Sequence, residues 1–212
     1  TSILHKSQEE LEMLARKKVK HLYLGIESGL DDVLKFMKKD HDLAQAYQAI
    51  DRLHEAGLIY DAHIMTGVAG KGRGMENTEA LAQFLNRTNP AHVVNFSMFL
   101  HKEVPLYQDI RQGTFAPADE LETIREEYHL IERIAPEKAG ANILYDGFHD
   151  FIHVRVRGHL PGDKEKMLAK LNGIIQEYEG KEPVYSFVQG ECPDLEYCDD
   201  GKAVWDMDRK TS

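Results

Sequence analysis

The fold is decided by residues 20–29, which read KHLYLGIESG. This run is apolar up to a glycine, and it then presents a carboxylate, Glu27, and a hydroxyl, Ser28, before a second glycine. Such a pattern predicts a buried strand with two polar groups at its carboxyl end. In parallel α/β folds, ligands bind at this end because the strand ends and the loops after them converge there. The stretch therefore predicts a small-molecule site at the rim of a parallel sheet.

Similar strands follow along the chain. Residues 58–65 and 92–99 are apolar runs, and amphipathic helical patterns separate them. Ser7 and Asp42 have the form of amino-terminal helix caps, and a further helix is expected from residue 77. Strands that alternate with helices in this way predict right-handed βαβ units and a parallel sheet, so the fold class is α/β.

The second half of the chain predicts three more helices and a strand. A short helix is expected from Pro105 to near Gly113. Asp119 is expected to cap a helix. Its predicted apolar face consists of Leu121, Ile124, Tyr128 and Ile131. The alternating residues 151–156 predict a fourth strand, and residues 142–145 are a candidate partner for it. Residues 161–163 are expected to open a final amphipathic helix.

Composition restricts the class of protein. The 212 residues include 42% hydrophobic and 29% charged residues, as in an ordinary globular domain. The net charge of −10 argues on electrostatic grounds against a nucleic-acid partner, and no apolar run is long enough to span a bilayer. We expect a cytoplasmic protein with no membrane partner. The cysteines Cys192 and Cys198 are then expected to be free thiols.

Two features of the sequence resemble known sites without matching them. Residues 67–74 contain four glycines but lack the order of a P-loop or a dinucleotide fingerprint, which favours a flexible surface loop over a phosphate site. The histidines show no HExxH motif and no zinc-type spacing with cysteine, so no metal site is predicted. Glu27 is open to two interpretations, a ligand contact or an ion pair with a neighbouring lysine.

Four motifs together resemble the core domain of the radical S-adenosylmethionine (SAM) superfamily, of the Elp3/MiaB/coproporphyrinogen-oxidase-like type. Residues 23–29 (YLGIESG) resemble the fourth strand of that core, and residues 65–71 (MTGVAGK) resemble its fifth-strand motif. Residues 94–107 contain VNFSMF and VPLY, which resemble the sixth strand and its continuation. Residues 158–164 (GHLPGDK) match a stretch found downstream in one group of these proteins. The order and spacing of the set make the resemblance fairly specific.

The resemblance implies the later strands of a partial (β/α)6 barrel. Residues 1–135 would form the carboxyl-terminal half of the barrel, and residues 136–180 would complete or flank it with strands and a helix. Residues 181–212 would form a small hairpin-like appendage or a loose tail.

The resemblance also implies a cofactor, SAM, at the carboxyl ends of the strands. The residues implied to contact SAM are Glu27, Ser28, Gly67, Asn95, Ser97 and Met98. The first two would contact the ribose or the methionine part. Gly67 would pack against the adenine side, and the last three would line the adenine pocket through backbone groups.

The chemistry of the superfamily requires a segment that this sequence lacks. A Cys-x3-Cys-x2-Cys loop holds a 4Fe–4S cluster, and reductive cleavage of SAM yields a 5′-deoxyadenosyl radical. Cys192 and Cys198 have the wrong spacing for that loop. We therefore expect a fragment of an iron–sulfur oxidoreductase of radical SAM type, with an unidentified substrate, that is inactive alone. Its first strand would have an exposed edge, through which the fragment is expected to self-associate.

Two alternatives come from other classes of protein. The chain could be a self-contained, non-catalytic α/β module that binds a small metabolite at the same strand ends. A third interpretation is an ordinary barrel enzyme with acid–base chemistry through Glu27 and His63, which would require both groups to lie within hydrogen-bond reach in one pocket.

Overall fold

The computed structural model describes residues 2–187 and two short strands beyond them, Glu196–Tyr197 (β6) and Ala203–Val204 (β7). Cys192 and Cys198 lie outside the described residues, so the expectation of free thiols stays a prediction. The two short strands pair antiparallel. No helix in the described residues is long and apolar enough to cross a membrane.

The described residues form a five-stranded sheet and seven α-helices. The strands of this sheet are His21–Glu27 (β1), Ile59–Thr66 (β2), His92–Ser97 (β3), Ile143–His149 (β4) and Val154–Leu160 (β5). The helices are Gln8–Arg16 (α1), Asp31–Phe36 (α2), Leu43–Glu55 (α3), Gly74–Thr88 (α4), Pro105–Arg111 (α5), Glu120–Arg133 (α6) and Lys164–Tyr178 (α7).

The strands lie in the sheet in their order along the chain, from β1 to β5. Strands β1 to β4 are parallel, and β5 pairs antiparallel with β4. The sheet is open, with β1 and β5 at its edges. This architecture confirms the predicted α/β class and is consistent with a partial β/α barrel. Self-association through the edge of β1 stays a prediction.

Helix caps confirm the local interpretation of the sequence. The Ser7 hydroxyl accepts a hydrogen bond from the Glu10 N–H, and the Glu10 carboxylate accepts one from the Ser7 N–H. Asp42 and Gln45 form the same reciprocal capping box at the start of α3. Gly57 follows the end of α3 with φ of 74°, a conformation that favours glycine. Each cap satisfies amide groups that the helix itself leaves unpaired.

One face of the sheet is covered by helices. Alternate strand residues, among them Ile64, Val93 and Tyr145, pack with buried residues of α3, α4, α6 and α7 in one core cluster. A second cluster lies at the carboxyl ends of the strands and contains Val68, Met98 and residues of the α5 region. The two clusters fix the loops of the strand ends on a rigid support.

Helix α4 begins earlier than expected. The sequence predicts a start at residue 77, whereas the helix starts at Gly74. Asn77 does not act as the cap because its side chain is buried and bonded to Ser28 and Glu126. A polar residue that suits a helix cap by type can thus be required for a tertiary contact instead.

The strand expected over residues 151–156 is wrong in position. Residues 150–152 form a 3-10 turn, and His153 has a positive φ of 54° that reverses the chain. The strand starts after this turn, at Val154, and pairs antiparallel with β4. The sequence alternates through the turn, so periodicity alone did not reveal the reversal.

Candidate functional site

Glu27 lies at the carboxyl end of β1, as predicted. Its backbone adopts a left-handed conformation with φ of 62°, beside an irregularity of the β1–β2 pairing. The Lys39 ammonium donates a hydrogen bond of 2.8 Å to Oε1 of Glu27, whose side chain is 22% exposed. The ion pair is thus one of the two interpretations that the sequence allowed. Oε2 has no hydrogen-bond partner among the described residues.

A buried chain of hydrogen bonds connects the ends of β1 and β2. The hydroxyl of Ser28 donates to Oδ1 of Asn77 at 2.7 Å, and Nδ2 of Asn77 donates to Oε1 of Glu126 at 2.8 Å. Oε2 of Glu126 accepts from the N–H of Gly67 at 2.8 Å. The side chains of Ser28 and Asn77 are fully buried. Asn77 and Glu126 therefore hold in place the two loops that carry predicted SAM contacts, a tertiary role that the sequence pattern did not indicate for either residue.

We expect Asn77→Ala to lower the free energy of unfolding by about 2–4 kcal/mol, because it removes the acceptor of the buried Ser28 hydroxyl and of the Gly29 N–H and one of the donors to the buried Glu126 carboxyl. Urea unfolding followed by circular dichroism measures this loss. Gln83→Ala on the same helix is the control, since Gln83 is exposed and its loss should change stability by less than about 0.5 kcal/mol. Equal effects of the two substitutions would contradict the proposed role of Asn77.

The glycine-rich loop does not offer a phosphate cradle. The N–H groups of Gly67 and Gly72 donate to the carboxylates of Glu126 and Glu122, and the N–H of Lys71 donates to a backbone carbonyl. These N–H groups are therefore already hydrogen-bonded within the protein and are not free to bind a phosphate. The prediction of a flexible surface loop is wrong for its first part, because residues 66–70 are buried.

Asn95 and Ser97 point to the helix-covered side of the sheet. Asn95 accepts from the N–H of Thr66 at 3.1 Å and donates to Glu127 at 3.1 Å, and both Asn95 and Glu127 are fully buried. Ser97 donates to Glu120 at 3.2 Å. Their side chains bind protein groups, and the predicted SAM contacts through the backbone stay a prediction.

Met98 lies in the second core cluster, and its N–H donates to the carbonyl of Thr66 at 2.9 Å. Among the six predicted SAM residues, Glu27 alone presents a side-chain oxygen without a hydrogen-bond partner in the described residues.

The acid–base interpretation joined Glu27 to His63, but in the structure the two side chains contact different residues. Glu27 pairs with Lys39, and the ring of His63 packs 5.1 Å from that of Tyr23.

Helix α6 brings buried carboxylates against the sheet. Nδ1 of His149 lies 2.9 Å from Glu120, and its Nε2 lies 3.0 Å from Glu127. Burial disfavours the imidazolium, but the hydrogen bonds to the two carboxylates outweigh it and raise the pKa of His149 to about 10. His149 is therefore an imidazolium that donates to both glutamates. Burial also raises the pKa of Glu126 to about 7, against the hydrogen bonds from Asn77 and Gly67.

The spacing of Glu120 and Glu127 in the sequence indicates that they are buried, but a search for apolar residues alone does not find them. Asp119 caps α6 as predicted, and Ile124 and Ile131 are buried as predicted. Glu120 and Glu127 continue the same stripe at spacings of three and four residues and are also buried. By contrast, Leu121 and Tyr128, which were predicted for the apolar face, are only half-buried.

No metal ligands for a cluster are assembled in the described part of the chain. Among residues 2–187 no group of three histidine, cysteine or acidic side chains is placed to hold a metal ion. Both cysteines fall outside that range. The described residues therefore do not fit a 4Fe–4S cluster.

Comparisons with known proteins identify the type of fold. Residues 1–85 match the family model of the radical SAM superfamily. A tRNA uridine(34) acetyltransferase of Methanocaldococcus infernus is 25% identical over 119 residues, or 56% of this chain. The chain spans only 22% of the length of that relative.

A solved structure shares the architecture. It is the archaeal Methanocaldococcus infernus Elp3 with an N-terminal deletion of residues 1–46, and it superposes with a TM-score of 0.58 at 18% sequence identity. The match covers 81% of this chain and 39% of that one. At this identity the likeness shows the fold alone, an open sheet consistent with a partial β/α barrel.

Proposed function

We propose, from the match of residues 1–85 to the family model of the radical SAM superfamily, that the chain supplies part of the SAM pocket and of the substrate wall of an iron–sulfur oxidoreductase of that type. The proposed chemistry of the longer protein is reductive cleavage of SAM, which supplies a 5′-deoxyadenosyl radical. The chain spans only 22% of the length of the relative, which supports the interpretation that this chain is part of a larger enzyme. The cluster ligands would come from another segment, since residues 2–187 do not assemble them.

The observation that carries the proposal is the state of Glu27. A non-glycine residue in a left-handed conformation costs on the order of 1 kcal/mol, and such strain is concentrated at ligand sites. Lys39 fixes the carboxylate through Oε1. The other oxygen is then available to accept hydrogen bonds from the ribose hydroxyls or the ammonium group of SAM.

We expect Glu27→Ala to weaken SAM binding about tenfold, because it removes a hydrogen bond to a charged acceptor. Equilibrium dialysis with radiolabelled SAM at concentrations up to the millimolar range measures the affinity. Glu55→Ala, at the exposed end of α3, is the control and should leave the affinity unchanged. Equal affinity of the parent and the Glu27 variant, or no binding by either, would contradict the assignment of this residue.

The chain alone is expected to lack activity. After anaerobic incubation with iron, sulfide, a reductant and SAM, it should hold iron well below one cluster per chain and should form no 5′-deoxyadenosine. Stoichiometric iron together with SAM cleavage would contradict this part of the proposal. SAM binding that requires Glu27, in a chain that functions without any cluster-bearing segment, would instead favour the non-catalytic binding module.

A further inference from the structure

Residues 184–187, which we call the strap, join the start of α6 to the loop that follows β3. The N–H of Glu120, the first residue of α6, donates to the carbonyl of Val184 at 2.8 Å. The N–H of Leu100 donates to the carbonyl of Ser186 at 2.7 Å, and Leu100 forms a parallel bridge with Phe187. The strap therefore adds backbone hydrogen bonds beyond the carboxyl end of β3.

The side chains at the end of the strap are buried. Tyr185 is 8% exposed and Phe187 is 5% exposed. The ring of Phe187 lies 5.8 Å from that of Tyr107 in an edge-on arrangement, and both rings belong to the second core cluster. Burial raises the pKa of the Tyr185 hydroxyl, and the nearby carboxylates of Asp119 and Glu122 act in the same direction. Irregular segments ordinarily run over the surface, so this burial indicates that the strap is held in place by packing.

The strap supports a part of the rim that carries a predicted SAM contact. Met98 is predicted to line the adenine pocket, and it lies in the same core cluster as Leu100 and Phe187. Between Met98 and α5 the chain has one buried residue, Leu100, whereas Phe99 is 54% exposed and Val104 is 42% exposed. The partner of the Leu100 N–H is in the strap. The position of the loop after β3 therefore depends on the strap.

We propose that the strap is a positioning element of the SAM pocket, and that SAM binds only while the strap holds the loop after β3 in place. Phe187 is its main positioning residue, because it bridges to Leu100 and packs on Tyr107. The inference rests on the proposed function, since it concerns the same ligand. It depends on the loop after β3 and on α6, however, and not on Glu27.

SAM binding and release of the strap are then thermodynamically linked. When the released form does not bind SAM, SAM at ten times its dissociation constant lowers the population of that form about tenfold. Hydrogen–deuterium exchange of the Leu100 amide reports the release, because the acceptor of this amide is in the strap. Exchange measured by NMR should therefore slow about tenfold at Leu100 when SAM is added to the parent chain.

The amide of Glu179 is the control for this exchange experiment. It donates to the carbonyl of Ile175 at the end of α7, and it opens when that helix end frays. Its exchange should not change with SAM. A strap that only stabilises the fold locally would leave the exchange of the Leu100 amide independent of SAM, as at Glu179.

Phe187→Ala is expected to release the strap, because it removes a buried ring. Exchange at Leu100 should become at least tenfold faster, and SAM binding in equilibrium dialysis should weaken about five- to tenfold as the competent form becomes the minor one. Phe187→Leu keeps most of the apolar volume and should restore the affinity to within about twofold of the parent. Phe151→Ala is the matched control, since Phe151 is 37% exposed and lies on the 3-10 turn after β4.

Two results would overturn the inference. One is exchange at Leu100 in the parent that does not respond to SAM, a measurement that requires no variant to fold. The other is equal SAM affinity of Phe187→Ala and Phe151→Ala.

The Glu27 variant separates this inference from the proposed function. SAM affinity that depends on Glu27 but not on Phe187 overturns the inference alone. SAM affinity that depends on Phe187 but not on Glu27 supports the strap and contradicts the observation that carries the proposed function. A parent chain that binds no SAM overturns both.

Discussion

Replacing Glu127 by alanine is expected to lower the free energy of unfolding by about 3–5 kcal/mol. Glu127 is fully buried and accepts hydrogen bonds from His149, from the hydroxyl of Tyr145 at 3.0 Å and from Asn95. The substitution leaves the imidazolium with one of its two carboxylates and leaves two polar groups unpaired. The Glu127 carboxylate also requires a glycine at position 147, because a Cβ on Gly147 would lie 1.7 Å from Oε1 of Glu127.

The matched control is Glu132→Ala, one turn further along the same helix. Glu132 is 48% exposed and contacts His129 and Arg133 at the surface. Surface ion pairs of this kind contribute between about 0 and 1 kcal/mol, so the variant should unfold close to the parent. Urea titration of the three proteins measures the difference. A loss at Glu127 no larger than that at Glu132 would show that the buried network does not support the fold.

The stability of the chain is expected to fall as the pH rises from 7.5 to 9. In the folded chain the pKa of His149 is about 10, above its ordinary value of 6.5, because burial is outweighed by Glu120 and Glu127. The stabilisation is complete below pH 6.5 and is lost as the pH rises towards 10. Between these values the folded state retains a proton that the unfolded state has released. The free energy of unfolding should therefore fall by about 1.4 kcal/mol per pH unit.

The titration of Glu126 also lowers the stability as the pH rises, but it does so at lower pH. Its pKa is about 7 in the folded chain, above the ordinary value of 4.5, so its contribution is lost as the pH rises from 4.5 to 7. The window from pH 7.5 to 9 therefore lies above the range in which Glu126 titrates and within that of His149. His149→Gln removes the titrating group and should flatten the slope there, at a lower absolute stability. A parent protein whose stability is constant or rises across this window would contradict the assignment of an imidazolium.

The sequence was sufficient for most of the elements of the parallel part and for the position of the strand ends. Residues 20–29 contain β1 and its carboxyl end as predicted, but the expectation of a buried strand is wrong, because β1 lies at the edge of the sheet and only Ile26 of its seven residues is buried. The caps at Ser7, Asp42 and Asp119 start helices as expected. These features depend on neighbouring residues, which a single sequence contains. The carboxylate of Glu27 also lies at the predicted end of β1.

The sequence was not sufficient for the buried polar contacts. Glu126 and Asn77 lie 49 positions apart, and His149 and Glu120 lie 29 apart, so only the tertiary fold brings them together. A charged residue on a helix is ordinarily expected to face solvent, so the local pattern does not reveal that glutamates of α6 are buried. The same limit applies to His153. The chain reverses at this residue, and histidine is not a residue type that signals a turn in the sequence.

The most direct test of the central claim is the coding sequence upstream of Thr1. An enzyme that uses this chain as part of its SAM pocket needs cluster ligands, which residues 2–187 do not assemble. The account predicts a Cys-x3-Cys-x2-Cys segment in the same reading frame, within a pattern of alternating strands and helices. A start codon directly before Thr1, with no such segment upstream, would contradict it and would favour a self-contained binding module.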